Sequence, residues 1–263
     1  GEDPADPWTS GSASDRMAGL PVLVRTEDAS GNLTNLKNII SVSLGADFAS
    51  ALDWNGNVYS WGDNRSGQLG LGDTNANKPV LAATVLSGLS GVVDLDVNGG
   101  VGKWGQASYG HGAALSVNFK NGSSEEFATP VTWGWGTNSH GEVGCNDQVN
   151  KPSPTQVSWK SSALLEGRMV GVSAGYEFTL GRTDKGALFA WGADSNGQLG
   201  FGTTAMTSGA GGTPSQAVPE LVWAAENSDL TVNGYLDKDH EPGVYEVSTG
   251  ADFSVIVFEG GVV

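Results

Sequence analysis

The chain is poor in the residues from which most catalytic and metal sites are built. It has one cysteine, Cys145, and three histidines, His111, His140 and His240, in 263 residues. A lone thiol excludes an internal disulfide and a cysteine zinc cage. Cys145 fills the slot that Leu71 and Phe201 take in related segments, so it reads as a small buried apolar side chain. Charge is sparse at 16% and strongly one-sided, with 13 Lys and Arg against 29 Asp and Glu and a net charge of −16. Such a surface repels phosphate, which argues against nucleic acid and against anionic membranes as partners. No apolar run reaches the roughly 18 residues of a membrane-spanning helix. Residues 1–20 are polar, lack the apolar core of a signal peptide, and read as a flexible leader or linker. There is no Gly-x-Ser-x-Gly elbow and no paired-acid spacing, so neither an enzyme nor a cofactor is expected.

What the chain has in quantity is glycine, 40 residues, and tryptophan, nine. Both are organised by repetition. Trp61-Gly62-Asp63-Asn64-Arg65-Ser66-Gly67-Gln68-Leu69-Gly70 returns as Trp191-Gly192-Ala193-Asp194-Ser195-Asn196-Gly197-Gln198-Leu199-Gly200. A looser copy, Trp135-Gly136-Thr137-Asn138-Ser139-His140-Gly141-Glu142-Val143-Gly144, lies between them. A second motif, Gly45-Ala46-Asp47-Phe48, sits sixteen residues ahead of Trp61, with Gly175-Tyr176-Glu177-Phe178 at the same distance from Trp191 and Gly250-Ala251-Asp252-Phe253 near the end. Recurrence in fixed phase identifies one repeated unit.

Within the unit, Phe48–Leu52 and Val58–Trp61 flank Asn55-Gly56, a hairpin signal because both turn positions tolerate positive φ. Phe178–Gly181 and Ala187–Trp191 repeat the arrangement, and Ala113–Val117 pairs with Pro130–Trp133 across a longer loop. Sustained helical periodicity is missing. The Gly turn, strand, hairpin, "YSWG" and "NxxGQLGxG" sequence over residues 40–260 resembles the regulator-of-chromosome-condensation repeat family. The resemblance implies an all-β fold: a β-propeller of about four partial or complete antiparallel blades, either a shorter variant or part of a larger ring or assembly, in a family whose rings have about seven blades.

Residues 21–263 are expected to hold the repeats, with insertions at about 97–110 and 203–243. Pro21–Val24 and Ile39–Val42 read as the late part of a repeat, and Val244–Val247 with Phe253–Phe258 as the early part of another. Unpaired strands at both ends would be templates for pairing with other copies.

Candidate sites are few. Asp94-x-Asp96-x-Asn98-Gly99 copies the start of a calcium loop, but Gly105 stands where the bidentate acid belongs. Gly102-Lys103 is followed by Trp104, not the Ser or Thr of a phosphate loop. Asp47, Glu177 and Asp252 recur in phase and would form a ring of carboxylates, with hydrogen bonding to turn amides of a neighbouring blade as their structural role. His111 stands where sister units have Phe48, Phe178 and Phe253, and reads as structural. Trp104, Trp159 and Trp223 could stack on sugar rings, and Asn32, Asn64 and Asn121 head glycosylation sequons.

The expected function is a non-enzymatic module that binds protein partners, or copies of itself, through terminal strands and insert loops. The Asn, Thr, Ser and Gly bias with little Lys suits an extracellular or cell-surface setting, such as a filament or layer. The alternatives are an exchange factor for a small GTPase, which the family resemblance suggests, and a glycan-binding propeller.

Overall fold

The computed structural model describes residues 22–74, 79–100, 109–117, 130–160, 166–201, 215–223 and 243–258. It is built from strands arranged as four consecutive antiparallel blades. Blade 1 holds β3 (Ile39–Leu44), β4 (Phe48–Asp53), β5 (Val58–Gly62) and β6 (Val80–Val85), and is widened at its outer edge by a hairpin of β1 (Arg25–Glu27) and β2 (Leu33–Asn35). There β1 runs parallel to β6, pinned where Thr26 Oγ1 donates to the Ala83 carbonyl at 2.7 Å. Blade 2 holds β7 (Val92–Gly100), β8 (Tyr109–Ser116), β9 (Val131–Gly136) and β10 (Lys151–Gln156). Blade 3 holds β11 (Met169–Ala174), β12 (Phe178–Thr183), β13 (Leu188–Ala193) and β14 (Ser215–Trp223), and β15 (Val244–Thr249) pairs with β16 (Ser254–Phe258) in blade 4.

Ile39–Val42 is therefore not the late part of a repeat. It lies in the innermost strand of blade 1, because the apolar strand ahead of each Gly turn folds back antiparallel on the strand after it. Val22–Val24 are exposed and outside any strand, and Pro21 lies outside the described residues. Of the two expected insertions, 97–110 and 203–243, the structure describes residues 97–100, 109–110, 215–223 and 243. Val97–Gly100 and Tyr109–Gly110 lengthen β7 and β8, and Ser215–Trp223 is the outer strand of blade 3.

Burial in the second strand of blades 1 and 3 is continuous rather than alternating. All six residues of β4 are buried, and five of six in β12. The apolar cores accordingly lie between blades. Phe48, Leu52, Val58 and Leu69 of blade 1 meet Leu95, Val97 and Trp135 of blade 2. Leu115 of blade 2 meets Val172, Phe189 and Trp191 of blade 3, and Leu180 and Leu199 of blade 3 meet Val244. Each fully buried large side chain stabilises the stack by about 2–3 kcal/mol relative to exposure.

Candidate functional site: the turn face and the inner strands

The repeated tryptophans join blades. Trp135 of blade 2 donates its indole N–H to the Gln68 carbonyl of blade 1 at 3.1 Å, and Trp191 of blade 3 donates to the Glu142 carbonyl of blade 2 at 2.8 Å. Both are fully buried, whereas Trp61 is only half-buried, and among the described residues no blade precedes blade 1. The glycines explain the seat. Gly70 and Gly144 have φ of +69° and +75°, and a Cβ on either would come within 3 Å of the incoming indole. Gly62, Gly136 and Gly192 share positive φ where the Trp strand ends, and Gly67, Gly141 and Gly197 share it inside the turn. Gly45, Gly175 and Gly250 make room for the ring of the Phe three residues on.

The turn between these glycines is held by one side chain. Asn64 Oδ1 accepts from Leu69 N at 3.0 Å, Asn138 Oδ1 from Val143 N at 2.9 Å, and Asp194 Oδ1 from Leu199 N at 2.7 Å. Asn64 is buried and its amide nitrogen donates to Asp73, so this sequon offers no free glycan acceptor. Asn32 is exposed on the β1–β2 turn, and Asn121 lies outside the described residues.

Asp94, Asp96 and Asn98 do not form a calcium loop. They alternate along β7, and their oxygens are taken up by amide and hydroxyl donors. Asp94 Oδ2 accepts from Val172 N at 2.9 Å and Asp96 Oδ2 from Ala174 N at 2.9 Å. Ser43 Oγ donates to Asp96 Oδ1 at 2.6 Å and Ser173 Oγ to Asp96 Oδ2 at 3.0 Å. Asn98 donates to the Ala174 carbonyl at 3.0 Å. Ser173 also meets Thr249 Oγ1 at 2.9 Å, so a chain of hydrogen bonds, Ser43–Asp96–Ser173–Thr249, crosses all four inner strands. Burial pushes the Asp94 carboxyl up, against the amide bonds from Val172 and Leu95 that pull it down. Among the described residues no group of three His, Cys, Asp or Glu is gathered tightly enough to hold a metal ion.

Asp47, Glu177 and Asp252 stand in the corresponding turns of blades 1, 3 and 4; blade 2 has Gly110 there. The expected structural role belongs to the main chain. The carbonyls of Asp47 and Glu177, not their carboxylates, accept from Asp63 N at 2.9 Å and Ala193 N at 2.8 Å. Asp47 and Asp252 are exposed. Glu177 is half-buried and its carboxyl is raised by desolvation, although His140 opposes this.

His140 and Glu142 are where the middle turn departs from its sisters. In those, Gln68 and Gln198 accept from the amides of Ser66 and Asn196. Glu142 keeps that bond, with Oε2 accepting from His140 N at 2.8 Å, while Oε1 lies 3.5 Å from His140 Nδ1. His140 Nδ1 is 3.8 Å from Glu177, so the imidazole bridges blades 2 and 3. The Glu142 carboxylate beside it holds His140 above the usual imidazole range against its desolvation. His111 is fully buried, with Nε2 2.8 Å from Thr179 Oγ1, and burial pushes its pKa down. Among the described residues, His111 Nδ1 and Glu142 Oε1 are buried without a hydrogen-bond partner.

The remaining candidates do not converge. Trp159 packs edge-on against Phe189 and Trp191, at ring-centroid distances of 5.3 and 6.0 Å, and so is no open sugar platform. Trp223 ends β14 opposite Leu188; Gly102, Lys103, Trp104, Gly105 and His240 lie outside the described residues. Cys145 is half-buried, not fully buried, and burial raises its thiol pKa, which suppresses nucleophilicity. Sequence reasoning missed Trp54, 77% exposed on the β4–β5 hairpin, where it lines a shallow groove with Asn38, Ile39, Ile40 and Asn55. The signal was present, because the matching residue of blade 3 is Asp184.

Known proteins share both the repeat and the fold. The family model described as the Regulator of chromosome condensation (RCC1) repeat matches residues 55–95, 132–181 and 185–257, and a second model of the same repeat matches 39–68 and 169–198. The Ultraviolet-B receptor UVR8 of Arabidopsis thaliana is 30% identical over 191 residues, covering 61% of this chain and 42% of the receptor. The human E3 ubiquitin-protein ligase HERC2 is 27% identical over 263 residues, covering 97% of this chain and 4% of the ligase. The chain thus spans less than half the length of these relatives. Among solved structures, Prp20p from Saccharomyces cerevisiae superposes with a TM-score of 0.58 at 18% identity, covering 86% of this chain and 44% of Prp20p. Human WBSCR16 superposes at 0.59 with 19% identity, covering 88% and 48%. In-phase Trp seats, left-handed turn glycines and these matches lead to one conclusion: the chain belongs to the regulator of chromosome condensation (RCC1) repeat family and folds as β-propeller blades.

Proposed function

We propose that this chain is a non-enzymatic propeller module that binds a basic protein partner on its turn face. The observation that carries the reading is the position of Asp47, Glu177 and Asp252. The turns recur, their structural hydrogen bonds are made by main-chain carbonyls, and the exposed carboxylates of Asp47 and Asp252 are left for a ligand. A net charge of −16 adds long-range attraction for a cationic surface. Prp20p, which shares the fold, is described by its binding to Gsp1p and histones, the latter a basic class of partner. Composition supports a place outside the cell, where an Asn-, Thr- and Ser-rich surface with one thiol is at home.

Core histones serve as a basic probe and serum albumin as an acidic control. Binding of histones that weakens with salt, and weakens further in the triple variant D47N/E177Q/D252N, supports the reading. Histone binding that is absent, or indifferent to the triple variant, overturns it. A second reading, association with another copy, is favoured by the uncovered face of blade 1. Val42 and Leu44 are exposed there, while their counterparts Leu95 and Val97 are buried against a neighbouring blade. Sedimentation of the wild type against V42S/L44S tests it.

A further inference from the structure

Each inner strand carries one β-bulge near its start, and the extra residue is large and apolar in every blade: Ile40, Val93, Val170 and Tyr245. Bulged residues leave the ladder and turn away from it. These four are exposed, at 55%, 54%, 39% and 63%. Missing neighbours do not explain this exposure. Val93 and Val170 belong to blades flanked on both sides, and the strand neighbours Leu95 and Val172 are buried at 6% and 7%. Packing thus selects the apolar residue two positions on but not the bulged one, yet the bulged one is apolar four times in four.

The hydrogen-bond chain Ser43–Asp96–Ser173–Thr249 keeps the inner strands side by side and in step, so the four bulges lie at one end of the blades. That end is opposite the turns of Asp47, Glu177 and Asp252. On blade 1 the row runs into the groove that Ile40 shares with Trp54. Exposed apolar residues repeated at one end of adjacent inner strands, beside an exposed Trp, have the character of a binding surface. Acidic residues directly follow two of the bulges, Asp94 after Val93 and Glu246 after Tyr245.

We infer that this apolar collar, with the Trp54 groove, is a second docking surface that takes a peptide segment of a basic protein partner, with aliphatic side chains set between Lys or Arg. Charge selects the occupant: a net charge of −16 favours cationic peptide and disfavours an anionic lipid surface. The collar rests on the reading of a basic protein partner but uses residues separate from the turn carboxylates.

The test uses the full 263-residue chain and two fluorescent peptides of equal length and charge, one alternating Leu and Lys, the other Ser and Lys, read by anisotropy. The Leu–Lys peptide is expected to bind at least about tenfold more tightly than the Ser–Lys peptide, as loss of two or more buried aliphatic contacts implies. The V93S/V170S variant, and separately W54S, should remove most of that preference, while L33S, on the exposed outer hairpin of blade 1, leaves it within about twofold. Melting curves confirm that the variants fold, and W54S, on an exposed hairpin, keeps the test open if V93S/V170S does not. Equal binding of the two peptides overturns the collar and leaves the basic-partner reading standing; binding of neither overturns both. Preference lost equally in L33S, or tighter binding to neutral phosphatidylcholine vesicles than to the Leu–Lys peptide, also overturns the collar.

Discussion

The Trp191 indole donates to the main-chain carbonyl of Glu142 at 2.8 Å, across the junction of blades 2 and 3. Trp135 makes the same bond to Gln68 one junction earlier, so the repeated tryptophan is a fastener between blades rather than filler within one. Truncating either to Ala should cost about 3–5 kcal/mol, as for other buried aromatics. Trp61→Ala should cost markedly less, because its indole is only half-buried. Urea denaturation of the three variants checks this, and equal losses would contradict it.

The turn glycines divide in the same way. Gly70 and Gly197 both have φ near +75°, at +69° and +75°, so Ala at either faces a left-handed penalty of about 1–2 kcal/mol. A Cβ on Gly70 also lies 2.8 Å from the Trp135 ring, whereas one on Gly197 meets nothing within 4 Å. Gly70→Ala should therefore lower the melting temperature clearly more than Gly197→Ala. Equal shifts would mean that backbone conformation alone fixes these glycines.

Much of this was legible in the chain because repetition converts local chemistry into phase. Asn64, Asn138 and Asp194 close their turns the same way, and strand pairing shows that His111 replaces Phe48 and Phe178. What lay beyond reach depended on neighbours in space. Asp94-x-Asp96-x-Asn98 spells a cation loop, and only the register of β7 between β3 and β11 shows its oxygens already occupied. Whether a residue such as Val93 faces a blade or solvent depends on a one-residue bulge, which spacing does not announce.

Asp96 is the hub of the inner strands, accepting from Ser43 Oγ, Val97 N, Ser173 Oγ and Ala174 N. Asp96→Ala leaves the Ala174 amide without its acceptor and takes one partner each from the Ser43 and Ser173 hydroxyls and the Val97 amide, and should destabilise by about 1–3 kcal/mol. Because these oxygens are taken, calcium and chelator should leave the melting temperature unchanged. A calcium-dependent rise lost in Asp96→Ala would restore the cation site.

The two histidines at the junction of blades 2 and 3 make opposite predictions for pH. Glu142, and then Glu177, favour the His140 imidazolium, so its folded pKa lies above the unfolded value of about 6.5. Its contribution is then fully present below that value and is lost as pH rises through the raised folded pKa. His111 is buried, and desolvation depresses its folded pKa despite the charges of Glu142 and Asp96. Its stabilisation is present above about 6.5 and is lost as pH falls toward the folded pKa. Single variants separate the two. Wild type minus His140→Asn stability should be largest near pH 5.5–6 and should shrink toward about pH 8.5. His111→Phe, which restores the residue of the sister blades, should help the fold more at the acid end than at the alkaline end. Denaturant midpoints across that range decide it: parallel pH profiles for wild type and both variants would show that neither imidazole is coupled to the junction.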